Sequence, residues 1–405
     1  SDHHEPAGDL PEALAVINPK QEGDRYPEKY LAGVGVAYKI IQALIEDIPA
    51  AKNPVKLEEL LELVALGTVA DRAPLEGENR SVGRAGGRQM KQTKRQGLFS
   101  LANVAGVTLA TVNATHIGFM LGPRLNAAGR LESAMAALDL LLTRDVMEAG
   151  RLAQLLDGQN RERQAITRKI QTEADALAMG EDPDSLVLFA VDPEFNPGVV
   201  GLAASRLVET HYRPAIVGQR GEETTRCSCR SIPEFNITEA LDQCADLLVQ
   251  HGGHAAAAGF TVQNENLEEL KRRLKEIARE KMGSLDLRRT FTADVEIKLK
   301  DLKMDLLRQL ERLQPTGYGN PEARFIARNL QVKSQRKVGA EGKHLKLTLS
   351  DGFSNMDAIG FRLGERPEEV PGRVDVLFTF ETNEYNGYTS LQMNLKDIKA
   401  VGTVD

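Results

Sequence analysis

Ser1-Asp2-His3-His4-Glu5-Pro6 is the stretch whose reading decides the rest. One carboxylate and two imidazoles form a ligand set that suits manganese, iron or zinc. Adjacent histidines on an extended strand point to opposite faces, so both converge on one ion only at a turn or a strand end. Alone, the triplet reads equally well as a frayed terminus. A second carboxylate strengthens the case, and the apolar run LLELVALGTVADRAPL (60–75) supplies it. Read as a buried strand, this run places Asp71 just past a carboxyl end, where α/β sheets hold ligands. An ordinary cap or turn aspartate fits the same position.

The chain of 405 residues is too long for one core, which predicts two to four domains. With 41% hydrophobic and 27% charged residues the composition is globular. No run approaches eighteen consecutive apolar residues, and no charged segment followed by an apolar core opens the chain. The expectation is a cytoplasmic protein with no membrane span or export signal. Cys227, Cys229 and Cys244 lack the pairing and spacing of a disulfide framework or structural zinc, so they read as small residues packed in or beside a strand.

The net charge of −7 argues weakly against nucleic acid if it is spread evenly, and it is not. Between Asn79 and Leu131 there is no acidic residue, while Arg80, Arg84, Arg88, Lys91, Lys94, Arg95, Arg124 and Arg130 all fall inside. Such a stretch either draws phosphates or forms a solvated basic face.

Periodicity predicts four parts. Residues 1–145 mix short apolar runs such as AVINP and LVALGTVAD with helical patterns such as GVGVAYKIIQALIED, the end of an α/β domain with a helical later portion. Residues 146–183 read as a long charged helix connecting domains, with Leu152, Leu155, Leu156, Ile166, Ile170, Ala174 and Leu177 at mostly helical spacing. Residues 184–287 form a smaller α/β domain. In it SLVLFAVD and RPAIVGQ are strands, GVVGLAASRLVETHY is a helix, and NITEALDQCADLLVQHG starts a helix with Asn236 and Glu239 at capping-box spacing. Residues 288–405 alternate as a small antiparallel sheet or barrel, with a tight hairpin at Asn386-Gly387.

Three further segments offer binding chemistry. LGPRLNAAGRLES holds Arg124, Asn126 and Arg130 among small residues, and arginine forks suit phosphate. RCSCRSI offers Ser228, Arg230 and Ser231 as donors. In HGGHAAAAGF a turn at Gly252 and Gly253 exposes backbone amides beside His254. Each piece alone is weak: surface arginines at a helix start and glycine-histidine turns are common.

Taken together and in order, DHHEP, LPEALAVINP, YLAGVGVAYKI, ALGTVADRAPL, GFMLGPRLNAAGRL, NPGVVGLAASRL, CRSIPEFNITEAL, GGHAAAAGF and PTGYGNPEARF resemble the RecJ family of bacterial single-stranded-DNA exonucleases, within the DHH phosphoesterase superfamily. The resemblance runs through nearly the whole chain. It implies a DHH catalytic domain, a linking helix, a DHH-associated domain and an oligonucleotide-binding (OB) fold. It also implies processive 5′-to-3′ removal of nucleotides from single-stranded DNA in recombination and repair, with two divalent metals, Mn2+ preferred and Mg2+ the alternative. A monomer, with a single-strand-binding protein or a helicase as partner, is expected.

Carried over by position, Asp2, His3 and His4 match the family's third motif and Asp71 its fourth, all as metal ligands, with His3, His4 and Asp71 catalytic. Arg124, Asn126 and Arg130 match its arginine segment. Ser228, Arg230, Ser231, Gly252, Gly253 and His254 match the DNA-facing part of the associated domain, although Cys229 stands where a glycine is usual.

The family's first two motifs, which supply further aspartates, lie upstream of the DHH triplet and have no counterpart in this sequence. Two dications held close together need several anionic ligands. The expectation is therefore at most one weakly held metal, a truncated product, an unstable first domain, and little or no hydrolysis by this chain alone. Two rival readings are a DHH phosphodiesterase of short oligonucleotides or cyclic dinucleotides, and a non-catalytic single-strand-binding remnant. The basic stretch and the extra carboxyl-terminal sheet disfavour the first. Tyr385 and Tyr388 are the candidate stacking aromatics for the second.

Overall fold

The apolar run ending at Asp71 is a helix rather than the expected strand. In the computed structural model, which describes residues 1–6, 10–46, 48, 55–131, 133–365, 369–385 and 388–402, α1 (Gly33–Glu46), α2 (Leu61–Ala70) and α3 (Gly77–Met90) follow one another, and α2 buries Val64, Ala65, Leu66 and Thr68. A continuous apolar run carries no period that separates a buried strand from a buried helix. Close approach fixes the packing: a Cβ on Gly67 would lie 2.7 Å from Val34 Cγ1, and one on Gly86 would collide with the Leu61 carbonyl. AVINP is likewise not a strand, and no strand precedes Leu188 among the described residues.

The helices continue as α4 (Gln96–Ala105), α5 (Ala114–His116), α6 (Gly122–Leu131), α7 (Met135–Leu142) and α8 (Val146–Glu181), the last close to the long helix read from the sequence. Then come β1 (Leu188–Asp192), α9 (Val200–His211), β2 (Ala215–Arg220), β3 (Thr224–Arg230), α10 (Ile237–Asp242), β4 (Leu248–His254), β5 (Ala257–Gln263) and α11 (Leu267–Met282). The carboxyl-terminal part holds β6 (Val295–Glu296), α12 (Met304–Leu310), β7 (Phe325–Val338), β8 (His344–Ser350), β9 (Asn355–Gly360), β10 (Arg373–Tyr385) and β11 (Tyr388–Ala400). None of the described helices is long and apolar enough to cross a membrane.

Two compact units interleave along the chain. One contains Ser1–Thr93, Thr108–Gly122 and Phe291–Asp405; the other contains Lys94–Val107 and Pro123–Thr290.

The second unit is built on a sheet of order β1-β2-β3-β5-β4, with β1 and β2 parallel across α9 and the remaining pairs antiparallel. Side chains alternate across it, as the pleat requires. Leu188, Ala190, Ala215 and Val217 pack against Ile170, Ala174 and Ala178 of α8 and against α9. Phe189, Ile216, Cys227, Cys229 and Phe260 pack on the other face against α10 and α11. The cysteines are free and buried, as read from the sequence. Asn236 caps α10, accepting from the Thr238 and Glu239 amides, but the helix ends at Asp242, and the tail of the expected helix becomes strand β4.

In the first unit, β7 to β11 close into a five-stranded barrel: β7-β8-β9-β11-β10, with β10 pairing back onto β7 and β9 running parallel to β11. This is OB-fold connectivity. Its interior holds Leu330, Leu347, Leu349, Val376, Phe378 and Met393. Asn386 and Gly387 lie outside the described residues; the strands beside them pair Tyr385 with Tyr388.

Candidate metal centre and nucleic-acid residues

A turn does bring both histidines together, and Asp2 makes it. Its Oδ1 accepts from the backbone amides of His3 at 2.7 Å and His4 at 3.1 Å, and from His4 Nδ1 at 2.8 Å. These hydrogen bonds, the His4 ring first, hold the Asp2 carboxyl well below the usual carboxylate range. Because a carboxylate only accepts, Nδ1 of His4 carries the proton in the neutral ring, and Nε2 is left as the lone-pair atom. The turn is anchored from outside: Asp2 N–H donates to the Ile17 carbonyl at 3.0 Å, and Asn18 Nδ2 donates to the His4 carbonyl at 2.9 Å. Asn18, 4% exposed, had no role assigned from sequence; its only sign was a polar residue closing an apolar run before Pro19.

Ligand atoms of Asp2, His3 and His4 lie within 4.8 Å of one another, the one such His/Cys/Asp/Glu group among the described residues. Asp71 joins through His3, its Oδ2 lying 3.6 Å from His3 Nδ1. It stands there as the C-cap of α2, not at a strand end, so the expected position is corrected while the proximity is found. Gly33 makes room for the ring, since a Cβ there would sit 3.2 Å from His3 Cδ2.

The residues fit a divalent cation. Two donors on one ion at about 2.1 Å each lie up to about 4.2 Å apart, near the spacing seen here. Carboxylate with neutral imidazole suits Mn2+. The side chains of Asp2 and His4 are exposed, which gives an ion and a substrate access.

The second unit separates the candidate DNA-facing residues. Arg124 is turned inward: its Nε donates to Asp157 Oδ1 at 2.9 Å, and Asp157 also pairs with Arg161. Asn126 is exposed; the Arg130 side chain lies outside the described residues. Ser228 and Arg230 alternate with the buried cysteines and share the opposite face of β3. A Cβ on Gly201, in the first turn of α9, would lie 3.0 Å from Arg230 Nη2 and 3.3 Å from Ser228 Oγ. Gly201 thus opens the space above both donors. Ser231 Oγ is spent on the Phe235 carbonyl at 2.5 Å.

Gly252, Gly253 and His254 are in β4 rather than in a turn; the turn is Ala255-Ala256, between paired His254 and Ala257. Gly253 has φ +147°, and a Cβ would collide with the Ala257 carbonyl, whereas nothing lies within 4 Å of a Cβ at Gly252.

Family models match three stretches of the chain: the DHH family N-terminal domain over residues 1–68, the DHHA1 domain over 184–280 and the RecJ OB domain over 293–397. A single-stranded-DNA-specific exonuclease RecJ of Dickeya dadantii is 34% identical over 98% of this chain and 72% of its own length. The chain belongs to the RecJ family. The RecJ of Bacillus subtilis is 38% identical over 98% of this chain, and the chain spans half of that relative's length. A RecJ of Thermus thermophilus, solved as a crystal structure in complex with Mn2+, superposes with a TM-score of 0.84 at 30% identity, covering 100% of this chain and 58% of that one. The DHHA1 match takes in Ser228, Arg230 and Gly252 to His254, and the DHH match takes in Asp2, His3 and His4.

Proposed function

We propose that this chain hydrolyses phosphodiester bonds of single-stranded DNA from a 5′ end, at a site that includes Asp2, His3, His4 and Asp71, with a divalent cation, Mn2+ in preference to Mg2+. The observation that carries this is the convergence of two imidazoles and two carboxylates, far apart in sequence, at 3.6 Å between His3 and Asp71. A bound divalent ion supplies a more acidic water and charge stabilisation on phosphoryl oxygens. The chain's own residues do the holding: His3 and Asp71 bind, His4 offers Nε2, and Asp2 orients His4 through Nδ1. Ser228, Arg230 and the open backbone at Gly252 bind phosphates, and the basic face of α3 draws the strand.

The test is release of nucleotides from a 5′-labelled single strand with Mn2+, alongside Asp71→Ala and Asp2→Asn. Cleavage lost in Asp71→Ala, with Mn2+ affinity lowered about tenfold or more in Asp2→Asn, supports the reading. Preference for dinucleotides over long strands moves the assignment to a small-substrate phosphodiesterase, and salt-sensitive DNA binding with no cleavage at all moves it to a binding protein.

A further inference from the structure

The loop 313–320, LQPTGYGN, precedes the barrel strands, yet its contacts are to the residues that follow Asp71. Leu75 N–H donates to the Tyr318 carbonyl at 2.7 Å, and Arg80 Nη2 donates to the Leu313 carbonyl at 3.0 Å. Leu75 is 2% exposed. Glycines permit the approach: Gly319 has φ +78°, where a Cβ would lie 3.0 Å from Pro74 Cβ, and a Cβ on Gly317 would lie 2.8 Å from Leu75 Cδ1. The loop is braced internally, because Asn320 Nδ2 donates to the Leu313 and Pro315 carbonyls at 3.0 and 2.7 Å.

The segment beneath it is strained. After Asp71 caps α2, Arg72 takes φ +61°, a left-handed conformation that side chains with a Cβ avoid. Its amide and that of Ala73 close back on the Val69 and Thr68 carbonyls, both at 3.1 Å, in the pattern that usually places glycine where Arg72 stands. A strained residue persists where its surroundings over-determine it. Here they are the α2 end on one side and the docked loop on the other.

We propose that loop 313–320 is a positioning strap for Asp71. By holding residues 72–75 down, it keeps the carboxylate beside His3 and makes the metal affinity of the cluster depend on a segment belonging to the barrel side of the chain. This rests on the metal reading above.

The test titrates Mn2+ alone into the full chain, reading free Mn2+ by electron paramagnetic resonance, with hydrogen exchange at the Leu75 amide as a metal-independent measure of the strap. Gly319→Ala weakens Mn2+ binding about tenfold and speeds Leu75 exchange. Arg80→Ala, which leaves the loop backbone intact and carries the test if Gly319→Ala does not fold, shifts both in the same direction by less. In an Asp71→Ala background, Gly319→Ala changes Mn2+ affinity no further. Faster Leu75 exchange with unchanged Mn2+ affinity overturns the strap and leaves the metal reading standing. An equal loss in the Asp71→Ala background also overturns it, as general loosening. A chain that binds no Mn2+ while Leu75 stays protected overturns the metal reading, and the strap's role with it.

Discussion

Arg124 and Asp157 form an ion pair inside the second unit, Nε to Oδ1 at 2.9 Å, with side chains 16% and 7% exposed. Asp157 also holds Arg161, so one carboxylate ties α6 to α8. Removing one partner of a buried pair leaves a desolvated charge. Arg124→Ala is expected to lower unfolding stability by about 3 kcal/mol, read from urea denaturation. A variant of unchanged stability but weaker DNA binding would return Arg124 to direct phosphate contact.

The two adjacent glycines of β4 are expected to respond oppositely. Gly253→Ala forces a Cβ into the Ala257 carbonyl at φ +147° and costs about 1–3 kcal/mol by the same assay. Gly252→Ala meets open space, so stability holds while affinity for a single strand falls. Equal stability losses in both would make the pair purely structural.

Arg84 and Arg88 of α3 and its C-cap Lys91 are exposed at helical spacing, with no carboxylate partner among the described residues. Cations four residues apart stand about 6 Å apart along a helix axis, a spacing an extended nucleic-acid backbone can follow. Replacing all three with alanine should reduce the slope of log affinity against log salt by about 2, at roughly 0.7 per phosphate of a single strand. Fluorescence anisotropy of a labelled oligonucleotide across salt concentrations measures it, and an unchanged slope makes the stripe a solvated face.

Burial pushes the Cys227 thiol up to about 12 and Cys229 well above its ordinary value. A thiol whose native pKa is raised keeps its full contribution to stability below the unfolded value of 9.0 and loses it as pH climbs toward 12. The urea midpoint should therefore fall between pH 9 and 12 more steeply in the parent than in Cys227→Ala, where that titration is gone. Parallel curves for the two proteins would show that Cys227 stays reachable by solvent.

What the sequence determined by itself was whatever repeats locally or is carried by a motif. The period of α8 and the alternation along β8 to β11 are properties of neighbouring residues, and the DHH triplet with its companion segments fixed the family. The helix at Asp71 was not legible, because α2 is apolar on every side and strand and helix look alike in such a run. Nor was β4: Leu248 to His254 becomes a strand by pairing with β5, a partner further along the chain than the helical pattern that precedes it.

Tertiary structure alone decided the rest. It brought Asp71 to His3 across 68 residues, set Asn18 under His4, turned Arg124 inward to a carboxylate 33 residues away, and laid loop 313–320 over Leu75. Each of these joins residues whose spacing has no period. A carboxylate or a guanidinium acquires its role from what the folded chain places within hydrogen-bonding reach, and that distance is set by packing between elements.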